Sequence, residues 1–355
     1  PKEIVEISQS HRTMRDSFME CQAIKTINAK IKSNAKISDK KIELSVELLS
    51  KNAWENSLMT YLDEVPFHFV GKGEQCIIKT KLALGHKKSK EANLILLEEP
   101  ENHLTHSRLN QLTNNIKEEH QDKQIIISTH SSFVANKLGL GNLILLNDSK
   151  TIRLNDLKPK TKSFFEKIAG YDTLRLILCK KAILVEGDSD ELIVQKAYML
   201  KNNKKLPIED GIDVISVGTS FLRFLEIAEK IKKTVVVLTD NDGDIDALKE
   251  KYENYLGNNK KDFIRICFDE KIDRGDLKIG DSLFNYNTLE PKILKVNSVE
   301  KLNKIFNTFY KNEDELHRYM KKNKTECALK IFNTTKDLDF PEYILKAIEI
   351  NHEKQ

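Results

Sequence analysis

Apolar residues in this chain come in short runs, and most of these runs end in an acid or a glycine turn. The purest, TVVVL at 234–238, is far below the ~18 apolar residues that a membrane-spanning helix requires. Runs of four to six Val, Ile and Leu residues, separated by polar stretches of helical length, predict the strands of α/β sheets. They fall into two blocks. The first predicts strands at 94–97, 124–128 and 143–146, and the second at 182–185, 213–217, 234–239 and 263–267. Ahead of them, 41–49 (KIELSVELL) alternates as a strand does, and 52–64 reads as a helix. The last sixty residues read as helices broken at Pro341. A length of 355 residues leaves room for about two domains at roughly 150 residues each.

Composition narrows the class. Hydrophobic residues are 39% and charged residues 32%, the balance of a soluble globular chain rather than a disordered one. The net charge of +4 is too small to argue for a nucleic-acid partner, so its distribution has to decide. Residues 151–181 carry eight Lys/Arg against three Asp/Glu, and 291–330 carry ten against five. Basic stripes of this kind can track phosphodiester backbones, although ordinary solvated helix faces in a Lys-rich chain read almost the same way. Cys21, Cys76, Cys179, Cys267 and Cys327 are scattered, and no CxxC occurs, which leaves neither a disulfide framework nor a zinc cluster. A reducing, cytoplasmic setting is expected, with no membrane association. The N-terminus has no signal-peptide core, and a start at Pro1 rather than Met suggests a piece of a longer chain.

Chemistry concentrates at two places. In the first block, LILLEEPE (94–101) is an apolar run ending in acids. Nucleotide hydrolysis needs one carboxylate near Mg²⁺ and another to position the attacking water, roles that Glu98 and Glu99 fit in that order. A plain strand with an acidic loop explains them about equally well. Downstream, the run 124–128 leads into THSS, where His130 could meet a γ-phosphate or serve structure alone. Upstream, GKGEQ brings Gly71, Gly73, Glu74 and Gln75 before a helical stretch, where backbone N–H groups could face an anion. In this order and spacing the three resemble the second lobe of ABC-type recombination and repair ATPases. GKGEQ matches the signature loop, LILLEEPE the Walker B strand and STHSS the switch-histidine loop. The resemblance implies ATP as ligand and a dimer, because the signature loop completes the opposite subunit's nucleotide site. No GxxxxGK[ST] occurs in the chain, so the phosphate-cradling lobe is expected to lie outside it.

In the second block, AILVEGDSD (182–190) is an apolar run, an acid and a glycine turn into a helical stretch. Fifty residues on, TVVVLT leads into DNDGD (240–244). Glu186, Asp240 and Asp242 then offer hard oxygens suited to Mg²⁺ or Mn²⁺, which can clamp a scissile phosphate. DNDGD also begins like a calcium loop, but Lys251 stands where the closing glutamate of such a loop belongs. The pair of motifs resembles the Toprim domain of primases, topoisomerases and certain nucleases, with Glu186, Asp240 and Asp242 as the core site.

An ABC-type lobe followed by a Toprim domain resembles the overcoming-lysogenization-defect (OLD) family of nucleases over about 65–335. The expected organisation is a partial ABC-type ATPase domain at 1–160, a linker at 161–178, and a parallel-sheet Toprim domain with C-terminal helices at 179–355. The resemblance adds Asp190 and Glu290, the latter in NTLEP, as metal-site acids, and Lys324 as a charge-stabilising lysine. Glu290 reads equally as a helix-start acid, and Lys324 as a solvated one. What the resemblance implies is a metal-dependent endonuclease acting on DNA, controlled by an ATPase module, in defence against phage, with a helicase or reverse transcriptase as possible partner. A nucleotide-sensing oligomeric scaffold and a Toprim RNase are the alternatives.

Overall fold

The computed structural model describes residues 2–33, 61–62, 65–85, 91–119, 122–147, 150–167 and 173–349. The strand expected at 41–49 lies outside these residues, as does most of the helix expected at 52–64. Compactness divides the chain into two units, meeting between Glu91 and Ala92.

The first unit contains α1 (Lys2–Glu20), α2 (Gln22–Ser33), the antiparallel pair β1 (Tyr61–Leu62) and β2 (Val65–Pro66), and α3 (Lys72–Gly85). Residues 61–62 are thus a strand where a helix was expected. Gly71 lies just before α3, but Gly73, Glu74 and Gln75 lie inside its first turn rather than in a loop. The amide of Gln75 is buried and donates to the carbonyl of Val70 at 2.6 Å and more loosely to that of His68 at 3.4 Å.

The second unit opens with β3 (Leu94–Glu98), α4 (His106–Glu119), β4 (Gln124–Ser128) and α5 (Ser132–Leu138). β3 and β4 pair in parallel, with Glu98 opposite Ser128. The strands were expected to be buried. Only the side of Ile95 and Ile127 is covered, where Leu109, Phe133 and Val134 pack; Leu96 and Ile126 on the other face are 68% and 52% exposed. The strand expected at 143–146 is β5 (Ile144–Asn147), which forms an antiparallel hairpin with β6 (Lys150–Arg153).

Within the stretch expected as a linker, the described residues are helical. α6 (Pro159–Lys167) and α7 (Thr173–Leu178) bury Phe165, Leu174, Leu176 and Ile177 in one core with Leu184 and Phe224. Of the eight Lys/Arg counted over 151–181, only Lys160, Lys162, Lys167 and Arg175 lie on these two helices, and Arg175 is paired with Asp213.

Next comes β7 (Lys181–Val185), α8 (Asp188–Lys201), β8 (Ile212–Ser216), α9 (Phe221–Ile231), β9 (Thr234–Leu238), α10 (Ile245–Lys251) and β10 (Ile264–Cys267). The four strands form one parallel sheet in the order β10-β9-β7-β8. Both faces are apolar, as a parallel sheet covered on both sides demands. Ile183, Val185, Val214 and Val236 point into one core, and Ala182, Leu184, Ile215 and Val237 into the other. After the small antiparallel pair β11 (Lys278–Ile279) and β12 (Ser282–Leu283) the chain is helical. These helices are α11 (Leu289–Val296), α12 (Val299–Phe306), α13 (Glu313–Lys322), α14 (Lys324–Asn333) and α15 (Glu342–Ile348), the last starting after Pro341 as its sequence suggested. Their apolar faces cover the first core through Leu302, Leu316, Ile331 and Ile344.

Leu184 is fully buried in the central strand. Its replacement by Ala is expected to cost about 2–5 kcal/mol through the lost apolar surface and the cavity left behind. Urea unfolding followed by circular dichroism would measure this.

Candidate functional site

Strand order places the main site. From β7 the chain crosses to β8 on one side and then returns to β9 on the other, so the order of strand addition reverses between β7 and β9 while all the strands stay parallel. Parallel sheets open a crevice at such a point, beyond the carboxyl ends of the strands. Glu186 follows β7 there, and Asp240 lies two residues past β9. Asp240 and Asp242 both follow β9. Asp242 is exposed and left-handed at φ +49°, followed by Gly243 at φ +87°.

Each carboxylate is held differently. Glu186 is exposed. Asp190, in the first turn of α8, accepts the N–H of Gly187 at 3.0 Å and so caps its own helix. Asp240 accepts the N–H of Leu289 at 3.0 Å, at the start of α11, and lies 3.5 Å from the donating hydroxyl of Tyr343. Asn285 donates to Asp242 Oδ1 at 3.3 Å. Glu290 is buried in the first turn of α11, and its Oε1 lies 3.3 Å from Nζ of half-exposed Lys324. Glu290 is therefore both a helix-start acid and a member of the cluster.

The acids raise one another. Burial, and then the charges of Glu290 and Glu186, push Asp190 up to about 6, although the Gly187 N–H pulls the other way. Burial, followed by Asp190, Glu290 and Asp242, raises Asp240 well above the ordinary carboxylate range, against the N–H of Leu289. Among the described residues, no three His, Cys, Asp or Glu side chains are already drawn together as a ligand set. In chemistry they fit a hard divalent cation: every candidate donor is a carboxylate oxygen, and a cation among them would relieve their mutual repulsion.

Behind this cluster lies a polar layer that motif reading passed over. Asn241, 2% exposed, accepts the N–H of Gly243 at 3.0 Å and donates to the carbonyls of Asp269 at 2.5 Å and Lys271 at 3.1 Å. Asn287 accepts the N–H of Asp273 at 2.7 Å and donates to its carbonyl at 2.9 Å. Lys292, with a side chain 2% exposed, reaches Asp269 at 2.5 Å, Asp273 at 2.7 Å and the carbonyl of Lys271 at 2.9 Å. The available signal was an Asn between the two acids of DND and a Lys two residues past Glu290.

A second grouping lies at the ends of β3 and β4. Glu98 is exposed at the end of β3. Glu99, left-handed at φ +42°, is fixed by its N–H to the carbonyl of Ser128 at 2.9 Å. Its carboxylate accepts from Asn102 at 2.8 Å and lies 3.4 Å from Nε2 of His130. Glu101, also missed in the sequence, accepts from the hydroxyl of Thr129 at 2.6 Å and the N–H of His130 at 2.9 Å. The acidic loop after β3 is thereby tied to the histidine loop after β4. Gly71, Gly73, Glu74 and Gln75 belong to the other unit.

Comparison with known proteins gives two family matches. Residues 177–242 match the Toprim domain of overcoming lysogenization defect protein-like proteins. Residues 45–136 match a family described as an AAA domain of a type IV TA system. No curated protein matches. Among solved structures, the C-terminal region of the Xanthomonas campestris pv. campestris OLD protein aligns at 20% identity over 50% of this chain and 93% of that one, with a TM-score of 0.35. The C-terminal region of the Burkholderia pseudomallei OLD protein aligns at 16% identity over 49% and 98%, with a TM-score of 0.37. Among the described residues no helix is long and apolar enough to cross a membrane.

Proposed function

From a chain of the OLD family type, in which an AAA domain precedes an OLD-like Toprim domain, we propose a metal-dependent endonuclease that hydrolyses phosphodiester bonds of DNA under the control of its ATPase module. The observation that carries this reading is the cluster at the β7/β9 crevice, where burial together with Asp190, Glu290 and Asp242 raises Asp240, and where Lys324 approaches Glu290. Glu186, Asp190, Asp240, Asp242 and Glu290 would hold Mg²⁺ or Mn²⁺. Such an ion supplies Lewis acidity at the scissile phosphate and a more acidic attacking water. The protein's own part is to orient the carboxylates, through the N–H of Leu289 on Asp240 and Asn285 on Asp242. The Lys324 ammonium offsets charge that builds on the phosphate.

ATP would act at the other grouping, where Glu98 serves the nucleotide's Mg²⁺, Glu99 positions water and His130 answers the γ-phosphate. Gly71, Gly73, Glu74 and Gln75 would complete the site in a dimer. A cytoplasmic role in defence against phage, beside a helicase or reverse transcriptase, belongs to this reading on the family resemblance alone.

Purified protein incubated with supercoiled plasmid and Mg²⁺ or Mn²⁺, beside a structured RNA, tests the reading. Nicked and linear plasmid is expected, and none in EDTA. Cleavage of RNA alone would move the substrate from DNA to RNA, and cleavage of neither would remove the nuclease assignment.

A further inference from the structure

Two hydrogen bonds meet on one backbone oxygen behind the acidic cluster. The carbonyl of Lys271 accepts from Asn241 at 3.1 Å and from Lys292 at 2.9 Å. Asn241 stands between Asp240 and Asp242. Lys292 stands two residues after Glu290 on α11, about 200° around the helix, and so reaches away from the side that Glu290 presents. The two motifs carrying the acids, far apart in sequence, are therefore stapled to the same short segment, 269–273. Asn287 adds a third attachment through both backbone groups of Asp273. Asn241 also shapes its own loop: its side chain takes the N–H of Gly243 while Asp242 and Gly243 are both left-handed.

We propose that Asn241 and Lys292 are positioning residues that fix the spacing between the Asp240–Asp242 loop and Glu290, and through it the affinity of the site for a divalent cation. The proposal rests on the phosphodiesterase reading above. Neither residue needs to touch metal or substrate: Asn241 is 2% exposed, and the Lys292 ammonium is taken up by Asp269, Asp273 and Lys271. The segment 269–273 acts as a brace whose two ends are each held by a buried donor. Freed from it, the mutually repelling acids drift apart, and a cation must pull them together at its own cost.

The sign of the effect separates positioning from simple charge. Lys292→Met removes a positive charge near a cation site, and by Coulomb's law alone that would tighten cation binding. Positioning predicts the opposite. Mn²⁺ binding, followed without substrate by the loss of the free-ion EPR signal, is expected to weaken at least tenfold in Lys292→Met. The Mn²⁺ concentration giving half-maximal plasmid cleavage should rise by a similar factor, with the rate at saturating Mn²⁺ returning to within a few-fold of the unsubstituted protein.

Since Lys292→Met leaves Asp269 and Asp273 without their buried partner and so endangers folding, Asn241→Ala is the second variant. It changes no charge and should weaken Mn²⁺ binding in the same direction. Lys196→Met supplies the structural control. Lys196 is also buried and bonds the carbonyls of Phe332 and Thr334, away from the shared oxygen. It should lower the melting temperature without moving Mn²⁺ affinity. If Asn241→Ala and folded Lys292→Met bind Mn²⁺ as tightly as the unsubstituted protein or more tightly, or if Lys196→Met weakens binding equally, the positioning role is wrong while the nuclease reading stands. If the unsubstituted protein neither binds Mn²⁺ nor cleaves, both are wrong.

Discussion

Asp242→Asn is expected to abolish plasmid cleavage, by a factor of at least about 10³, while the protein melts where the unsubstituted protein does. The residue is exposed, so no packing is lost. Its φ of +49° is one that Asn tolerates better than most residues, which makes Asn a cleaner replacement than Ala. Only the charge and one oxygen that would ligate the proposed metal disappear. Asp240→Ala should be equally inactive but is less clean, because it also strips a partner from the N–H of Leu289 and from Tyr343. A melting curve is therefore needed beside the activity. Full nicking by a variant lacking both carboxylates would exclude the β7/β9 crevice as the site of chemistry.

Lys324→Ala should lower single-turnover cleavage by about 10²–10³, or about 2.7–4 kcal/mol, as expected for one aimed electrostatic contact. Lys324 opens α14, where a cation is disfavoured by the helix dipole, and the nearby carboxylate of Glu290 compensates. The helix beneath it is anchored by buried Cys327, Ala328 and Ile331, so the ammonium is carried on a fixed base. Leu329, on the same helix, is 45% exposed and adds nothing to that anchoring. DNA binding in a filter assay should weaken far less, since several other lysines contribute. An unchanged cleavage rate would return Lys324 to the solvated surface.

The candidate site was legible wherever its chemistry follows directly on a strand. An apolar run ending in an acid marks a carboxylate at a sheet edge, as with Glu98 at the end of β3, Glu186 after β7 and Asp240 after β9. The strands of the second sheet were legible for the same reason: residues buried on both faces must be apolar without interruption. At 161–167 and 173–178 a helix stands where a linker was expected, because a charge count does not register buried residues such as Phe165 and Leu176. The antiparallel pairing of β5 with β6 was not legible, because an apolar run carries no information about the direction of its partner.

The amino-acid order by itself determined which residue types stand at the ends of which strands, and hence the class of chemistry: hard oxygen donors in two motif sets. It did so because local backbone geometry couples a short apolar run to the polar residues that follow it. What only the tertiary structure decided is which of these residues share a crevice. The order β10-β9-β7-β8 sets Glu186 beside Asp240 rather than beyond β8. The fold brings Glu290 to Lys324 and joins Asn241 to Lys292 through one carbonyl oxygen. Those contacts span tens of residues of chain, and long-range packing fixes them, which no local pattern encodes.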